Sequence, residues 1–128
     1  MAKIVVCEDS PAIQKLIQMA LRTSGHEVLV AGDGLDGLAL IDRERPDVVL
    51  TDIAMPGLDG LELIQALRRR PDLAQIPVLL ITASAQRHEL AEGVRDSVAG
   101  HITKPFRTGD LRAAIAKVLA EAASDPAP

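Results

Sequence analysis

Residues 48–57 read VVLTDIAMPG. Val48, Val49 and Leu50 form an apolar run of the kind that fills a strand buried on both faces. Asp52 then stands where the strand leaves the core, and Met55-Pro56-Gly57 turns the chain. A carboxylate at that place is either a turn residue or a reagent, and the rest of the chain must decide between the two.

Outward from this stretch, short apolar runs alternate with helical patterns. Lys3 to Cys7 reads as a first strand. Ser10-Pro11 starts a helix with a capping hydroxyl and a proline at the first helical position. Ile13, Leu16, Ile17, Ala20 and Leu21 recur on one face of it, and Gly25 ends it. Glu27 to Ala31 is a second strand, and Asp33 caps a second helix that stops before Pro46. Val48 to Thr51 is the third strand. Asp59-Gly60 introduces a third helix ending near Arg70-Pro71. Pro77 to Ile81 is a fourth strand, residues 85–94 a more polar fourth helix, and Gly100 to Thr103 a short fifth strand. Thr108 caps a fifth helix, where Leu111, Ile115, Val118 and Leu119 share a face. Five strand–helix units imply one α/β domain, a doubly wound five-stranded parallel sheet with five helices divided between its faces. The domain is expected over residues 1–121. Residues 122–128, which end in SDPAP, form a flexible tail or the start of a linker.

Composition narrows the function. One Phe and no Tyr or Trp leave the core to Leu, Ile, Val and Ala. They also disfavour flavin or single-stranded nucleic-acid binding, which stack flat rings. A net charge of −4 without a basic stripe makes a poor phosphate-backbone binder. Arg68-Arg69-Arg70 reads as a solvated helix C-terminus favoured by the macrodipole rather than a nucleic-acid patch. The single cysteine, Cys7, excludes an internal disulfide and is expected as a buried strand residue. Lys3 is followed by only four apolar residues before Glu8, too few for a signal peptide, and no stretch has the length of a membrane span. A cytoplasmic protein with no membrane and no direct nucleic-acid contact is expected.

In an open parallel sheet, ligands bind beyond the carboxyl ends of the strands. Glu8 and Asp9 follow the first strand, Asp52 the third, Thr82 the fourth, and Lys104 with Pro105 the fifth. If strands one, three, four and five are neighbours in that order, three carboxylates, a hydroxyl and an ammonium converge on one pocket. Each has a bland reading alone: Asp9 as a loop residue, Thr82 as a strand end satisfied by backbone, Lys104 as a solvated cation. Together they form a complementary set. Clustered carboxylates repel, and desolvation raises their proton affinity. Mg²⁺, which takes one or two carboxylates, waters and a phosphate oxygen, removes the conflict. No His or Cys is placed to be a softer second ligand. A carboxylate beside Mg²⁺, with Lys and Thr donors around it, is equipped to accept a phosphoryl group.

At these residues the chain resembles the receiver domain of bacterial two-component response regulators, from residue 3 to about 121. The stretches IVVCEDSP, VVLTDIAMPGLDGLEL, PVLLITASA and ITKPF are similar to that family's successive signatures. The resemblance implies a flavodoxin-like receiver fold with strand order 2-1-3-4-5. It implies Asp52 as phosphoacceptor, Asp9 as a direct Mg²⁺ ligand, Glu8 acting through water, and the backbone carbonyl of Ala54 completing the protein ligands. Lys104 would pair with the phosphoryl group, with a cis peptide before Pro105. Thr82 would be the switch hydroxyl, and Ala83 the small residue that leaves room for the phosphoryl group. His101 would be the second switch residue, standing where the family usually has Tyr or Phe. Ser97-Val98-Ala99-Gly100 replaces the usual Gly-Ala-Asp-Asp run, which bears on the course of the loop before the fifth strand.

The implied partners are a histidine kinase or histidine phosphotransfer protein, and a downstream protein. The latter would be engaged through the surface of the 85–94 helix, the fifth strand and the C-terminal helix, by a monomer or weak dimer. No catalysis is expected beyond self-phosphorylation and slow self-dephosphorylation, since an aspartyl-phosphate phosphatase would carry an acid-base Asp where Ala54 stands. Two alternatives keep the same residues: a phosphorylation-independent interaction scaffold, and a receiver fragment of a larger regulator.

Overall fold

The computed structural model describes residues 2–83 and 98–124. Nine elements follow one another: β1 (Lys3–Cys7), α1 (Pro11–Thr23), β2 (Glu27–Ala31), α2 (Gly34–Glu44), β3 (Val48–Asp52), α3 (Gly60–Arg69), β4 (Val78–Ala83), β5 (Gly100–Lys104) and α4 (Thr108–Ser124). The five strands form one parallel sheet in the order β2-β1-β3-β4-β5, as the resemblance implies. Four helices lie among the described residues, and the helix expected over 85–94 falls outside them.

Strand alternation sorts the core into two halves. Ile4, Val6, Val48, Leu50, Leu79 and Ile81 meet Ile17 and Leu21 of α1 and Leu111 and Ile115 of α4. Val5, Cys7, Val49, Val78 and Leu80 meet Ile41 of α2 and Leu63, Ile64 and Leu67 of α3. Each fully buried Leu, Ile or Val contributes about 1.5–3 kcal/mol relative to an exposed one. The continuously apolar runs are thus the strands with helices on both sides.

The helix signals act locally as their chemistry dictates. Ser10 accepts a hydrogen bond from the Ile13 amide, with Pro11 opening α1. Asp33 caps α2 through the Asp36 amide, and Asp59 with Glu62 forms a reciprocal capping box on α3. Beyond α1 the chain reverses at Gly25, whose φ of 87° lies in the region open to glycine. Thr108 is the first residue of α4 rather than its cap, and α4 runs on to Ser124, past the expected start of the tail at 122.

The arginine run does more than meet solvent. Arg68 donates to the carbonyls of Ala74 (2.8 Å) and Ile76 (3.0 Å), holding the segment that returns to β4. Arg70 pairs with Asp42 and Asp72. Arg45 pairs with the same two aspartates and holds the αL backbone that ends α2, at φ 50°. The C-terminal ends of α2 and α3 are thereby tied together, away from the carboxyl ends of the strands.

Those strand ends run slightly further than the apolar pattern alone implies. β3 includes Asp52, β4 reaches Ala83 and β5 reaches Lys104. Asp52 pairs in register with Ile81, and Ala83 with Lys104. The polar residues of interest are therefore fixed by the ladder itself.

Candidate functional site

The site is built where β1, β3 and β5 end. The Glu8 amide donates to the Ala31 carbonyl (3.0 Å), extending the β1–β2 ladder one residue past Cys7. Glu8 is consequently fully buried, whereas Asp9, next along the chain, is exposed. Asp52 at the end of β3 is 4% exposed. Glu8, Asp9 and Asp52 each present an oxygen, and these oxygens lie within 4.8 Å of one another.

One cation faces this cluster from β5. Lys104 Nζ is 2.5 Å from Asp52 Oδ2 and 3.4 Å from Glu8 Oε1. The other Asp52 oxygen, Oδ1, accepts a 3.3 Å bond from the Ala54 amide. The acceptor's backbone is also held: Thr51 Oγ1 donates to the Asp52 carbonyl at 2.9 Å. Gly60 packs against that carbonyl so closely that a Cβ there would fall 2.2 Å from the oxygen.

The charges are unbalanced, three carboxylates to one ammonium. Burial, with the neighbouring Asp52 carboxylate, pushes the Glu8 carboxyl up to about 7 against the opposing pull of Lys104. Burial alone would lower the Lys104 pKa, but Asp52 and then Glu8 outweigh it and raise it.

Glu8 Oε2 is buried without a hydrogen-bond partner among the described residues. A buried, partnerless carboxylate oxygen beside two further carboxylates is a donor set that suits a hard divalent cation. Buried Glu8 and Asp52 oxygens and the solvent-facing Asp9 would hold Mg²⁺.

The remaining expected residues are placed as follows. Thr82 is fully buried near the end of β4, paired in register with Thr103, and its Oγ1 is without a partner among the described residues. Ala83 is half-buried opposite Lys104. The Lys104–Pro105 peptide is cis. Ala54 meets Asp52 through its amide; its carbonyl is the atom the resemblance implies for the metal. His101 is not in the cluster: it is exposed on the edge strand β5, in register with Leu80. Cys7 is fully buried, and burial pushes its thiol up to about 12, so it is inert toward metal or oxidant.

One contact at the site was not anticipated from the sequence. The Gln14 side-chain amide donates to the Glu8 backbone carbonyl at 2.5 Å. The only signal for it is spacing, since Gln14 lies one helical turn after the Ser10 cap, on the side that looks back at the end of β1.

The model of the response regulator receiver domain matches residues 4–116. Protein PilH of Pseudomonas aeruginosa is 38% identical over 120 residues, covering 94% of this chain and 99% of its own. Against two other curated relatives, both transcriptional regulators, the chain spans about half their length. Among solved structures, the chemotaxis response regulator CheY4 of Vibrio cholerae has a TM-score of 0.85 at 30% identity, covering 92% of this chain and 98% of its own. The receiver domain of the sensor histidine kinase PA1611 of Pseudomonas aeruginosa, solved with a magnesium ion in its active-site cleft, has a TM-score of 0.82 at 26% identity, covering 93% of this chain and 98% of its own.

Proposed function

The chain belongs to the response regulator receiver domain family, and on that premise we propose that Asp52 is its phosphoacceptor. The observation that carries this reading is the setting of Asp52. It stands at the end of a buried strand, with one carboxylate oxygen on Lys104, the other on the Ala54 amide, and the Glu8 and Asp9 oxygens within reach of the same cation.

The donor is a phosphohistidine of a kinase or phosphotransfer protein. An Asp52 carboxylate oxygen attacks phosphorus, the P–N bond breaks as the P–O bond forms, and the departing imidazole keeps the electron pair and takes up a proton. Glu8, Asp9 and Asp52 would hold Mg²⁺, which when bound neutralises charge on the transferred group. Lys104 contributes the fixed cation on the other side, where a charge-assisted hydrogen bond is strongest. Burial of the Glu8 and Asp52 carboxylates lowers the effective dielectric around them and makes these interactions count.

Phosphorylation adds acceptor oxygens at Asp52, and we assign as their donor the buried Thr82 hydroxyl, which has no partner among the described residues. Movement of Thr82 toward them, coupled to β5 and α4 and to residues 85–94, would change the surface offered to a downstream protein. His101, exposed on β5, belongs to that surface. We assign no turnover on outside substrates, only self-phosphorylation and slow self-dephosphorylation, because Ala54 supplies no acid or base. The reading places the domain in the cytoplasm; among the described helices none is long and apolar enough to cross a membrane.

Intact-mass analysis after incubation with acetyl phosphate tests the reading. One phosphoryl group is expected on wild type with Mg²⁺ and none on Asp52→Asn. Equal gain by both proteins would remove Asp52 from the role.

A further inference from the structure

We propose that Gln14 is a positioning residue for the Mg²⁺ site, fixing the Glu8–Asp9 peptide from α1. The inference rests on the Asp52 reading above and deepens it. Glu8 is the point at which β1 gives way to the turn into α1, and its amide makes the last bond of the β1–β2 ladder. Its two polar groups are nevertheless both held. The N–H donates to the Ala31 carbonyl of β2 at 3.0 Å, and the C=O accepts from Gln14 Nε2 at 2.5 Å. Gln14 is itself anchored, its amide donating to the Ser10 carbonyl at 2.9 Å in the first turn of α1.

The orientation of one peptide plane decides where the flanking side chains go. The plane between Glu8 and Asp9 separates a fully buried carboxylate from an exposed one, and both must present oxygens to a common point within 4.8 Å of Asp52. The Gln14 bond fixes that plane through the carbonyl. Without the donor the plane is free to rotate, and the carboxylates on either side lose their common aim. Groups that orient the ligands of a metal commonly matter to its affinity without touching it. Gln14 touches neither the cation nor the phosphoryl group, so its effect is on the binding of Mg²⁺ and not on the transfer.

The test is Gln14→Met, which keeps length and apolar packing and removes the donor. Titration calorimetry with Mg²⁺ alone should give a dissociation constant about fivefold weaker than wild type, the worth of one neutral hydrogen bond. The Mg²⁺ concentration for half-maximal labelling by acetyl phosphate should rise by the same factor, while the rate at saturating Mg²⁺ stays within about twofold. Gln14→Asn, too short to reach, should shift affinity in the same direction. In wild type, the Gln14 side-chain amide protons should exchange with solvent more slowly than those of exposed Gln65. Unchanged Mg²⁺ affinity in a folded Gln14→Met protein would overturn the proposal. So would Gln14 amide protons that exchange as fast as those of Gln65, a measurement that needs no variant. If wild type itself takes no label with Mg²⁺, the Asp52 reading fails; if it labels normally and only these results are adverse, Gln14 alone is misassigned.

Discussion

Lys104 reaches from the end of β5 to Asp52 at the end of β3, closing a 2.5 Å ion pair between residues 52 apart in sequence. β4 lies between these two strands, so the pair is made across a strand, above the sheet's carboxyl edge. Lys104 is the only cation in contact with the cluster among the described residues and occupies one oxygen of the proposed acceptor.

Lys104 both supports and competes. In chelator, Lys104→Met leaves Glu8 and Asp52 facing each other without a counter-charge, and should lose about 2 kcal/mol, less than a fully buried pair because Lys104 is partly exposed. With Mg²⁺ added, the variant should regain more stability than wild type does, since one competitor for Asp52 is gone. Its labelling by acetyl phosphate should slow by at least about tenfold. Denaturant melts with and without Mg²⁺, together with labelling rates, check all three. Equal Mg²⁺ stabilisation of the two proteins would contradict the competition.

Glu8 predicts a pH dependence with a definite sign. Its folded pKa is raised from 4.5 to about 7, so the folded protein binds a proton that the unfolded chain has already released. Metal-free stability is greatest from this group below pH 4.5 and falls as pH rises from there through about 7, by up to about 3 kcal/mol. Glu8→Gln should flatten that slope. Mg²⁺, which binds the ionised form, should oppose the loss at high pH. Melts in chelator at pH 5 and pH 8 measure it, and a wild-type protein that is more stable at pH 8 than its Glu8→Gln variant would contradict the assignment.

Gly37 tests the packing that supports β1. A Cβ there would meet Cys7 Sγ at 2.5 Å, in the half of the core formed by α2 and α3. Alanine ordinarily stabilises a helix by about 1 kcal/mol over glycine. Here Gly37→Ala should destabilise by about 1–2 kcal/mol through overpacking. In the Cys7→Ala background the same substitution should turn stabilising. A double-mutant cycle with no coupling between the two sites would show that the backbone relaxes instead.

Ala54 governs the lifetime of the phosphorylated state on this account. It is exposed beside Asp52 and offers only its backbone, so its own side chain cannot orient an attacking water. Ala54→Asn should speed loss of the phosphoryl group severalfold, measured as decay of the mass-shifted species after removal of the donor. An unchanged decay rate would show that Ala54 is not the cause of a long lifetime.

Much of this was legible in the residues because it is local or periodic. Short apolar runs located the strands, and Ser10, Asp33 and Asp59 marked the helix starts through their capping oxygens. The positions of Asp52 and Lys104 at strand ends followed from where the apolar runs stop. Strand order did not follow, since nothing in β3 itself says that β1 and β4 flank it; the resemblance supplied that. Also illegible were contacts set by tertiary reach. Gln14 to the Glu8 carbonyl, Arg68 to the Ala74 and Ile76 carbonyls, and Arg45 with Arg70 on Asp42 and Asp72 depend on how helices sit on the sheet. The Glu8 side chain's burial was hidden as well, because it depends on one further ladder bond to Ala31.

The central claim is that the acidic cluster and Lys104 make Asp52, and no other carboxylate, the phosphoryl acceptor. The direct measurement is to label the protein with acetyl phosphate, reduce the acyl phosphate with borohydride to homoserine, and locate that residue by peptide mass mapping, with Mg²⁺ and with chelator. The account predicts homoserine at position 52 alone, and only when Mg²⁺ is present. Homoserine at Asp9 or another aspartate in place of position 52, the five-carbon hydroxy amino acid that reduction of a glutamyl phosphate gives at Glu8, or labelling that is equally complete in chelator, would contradict it.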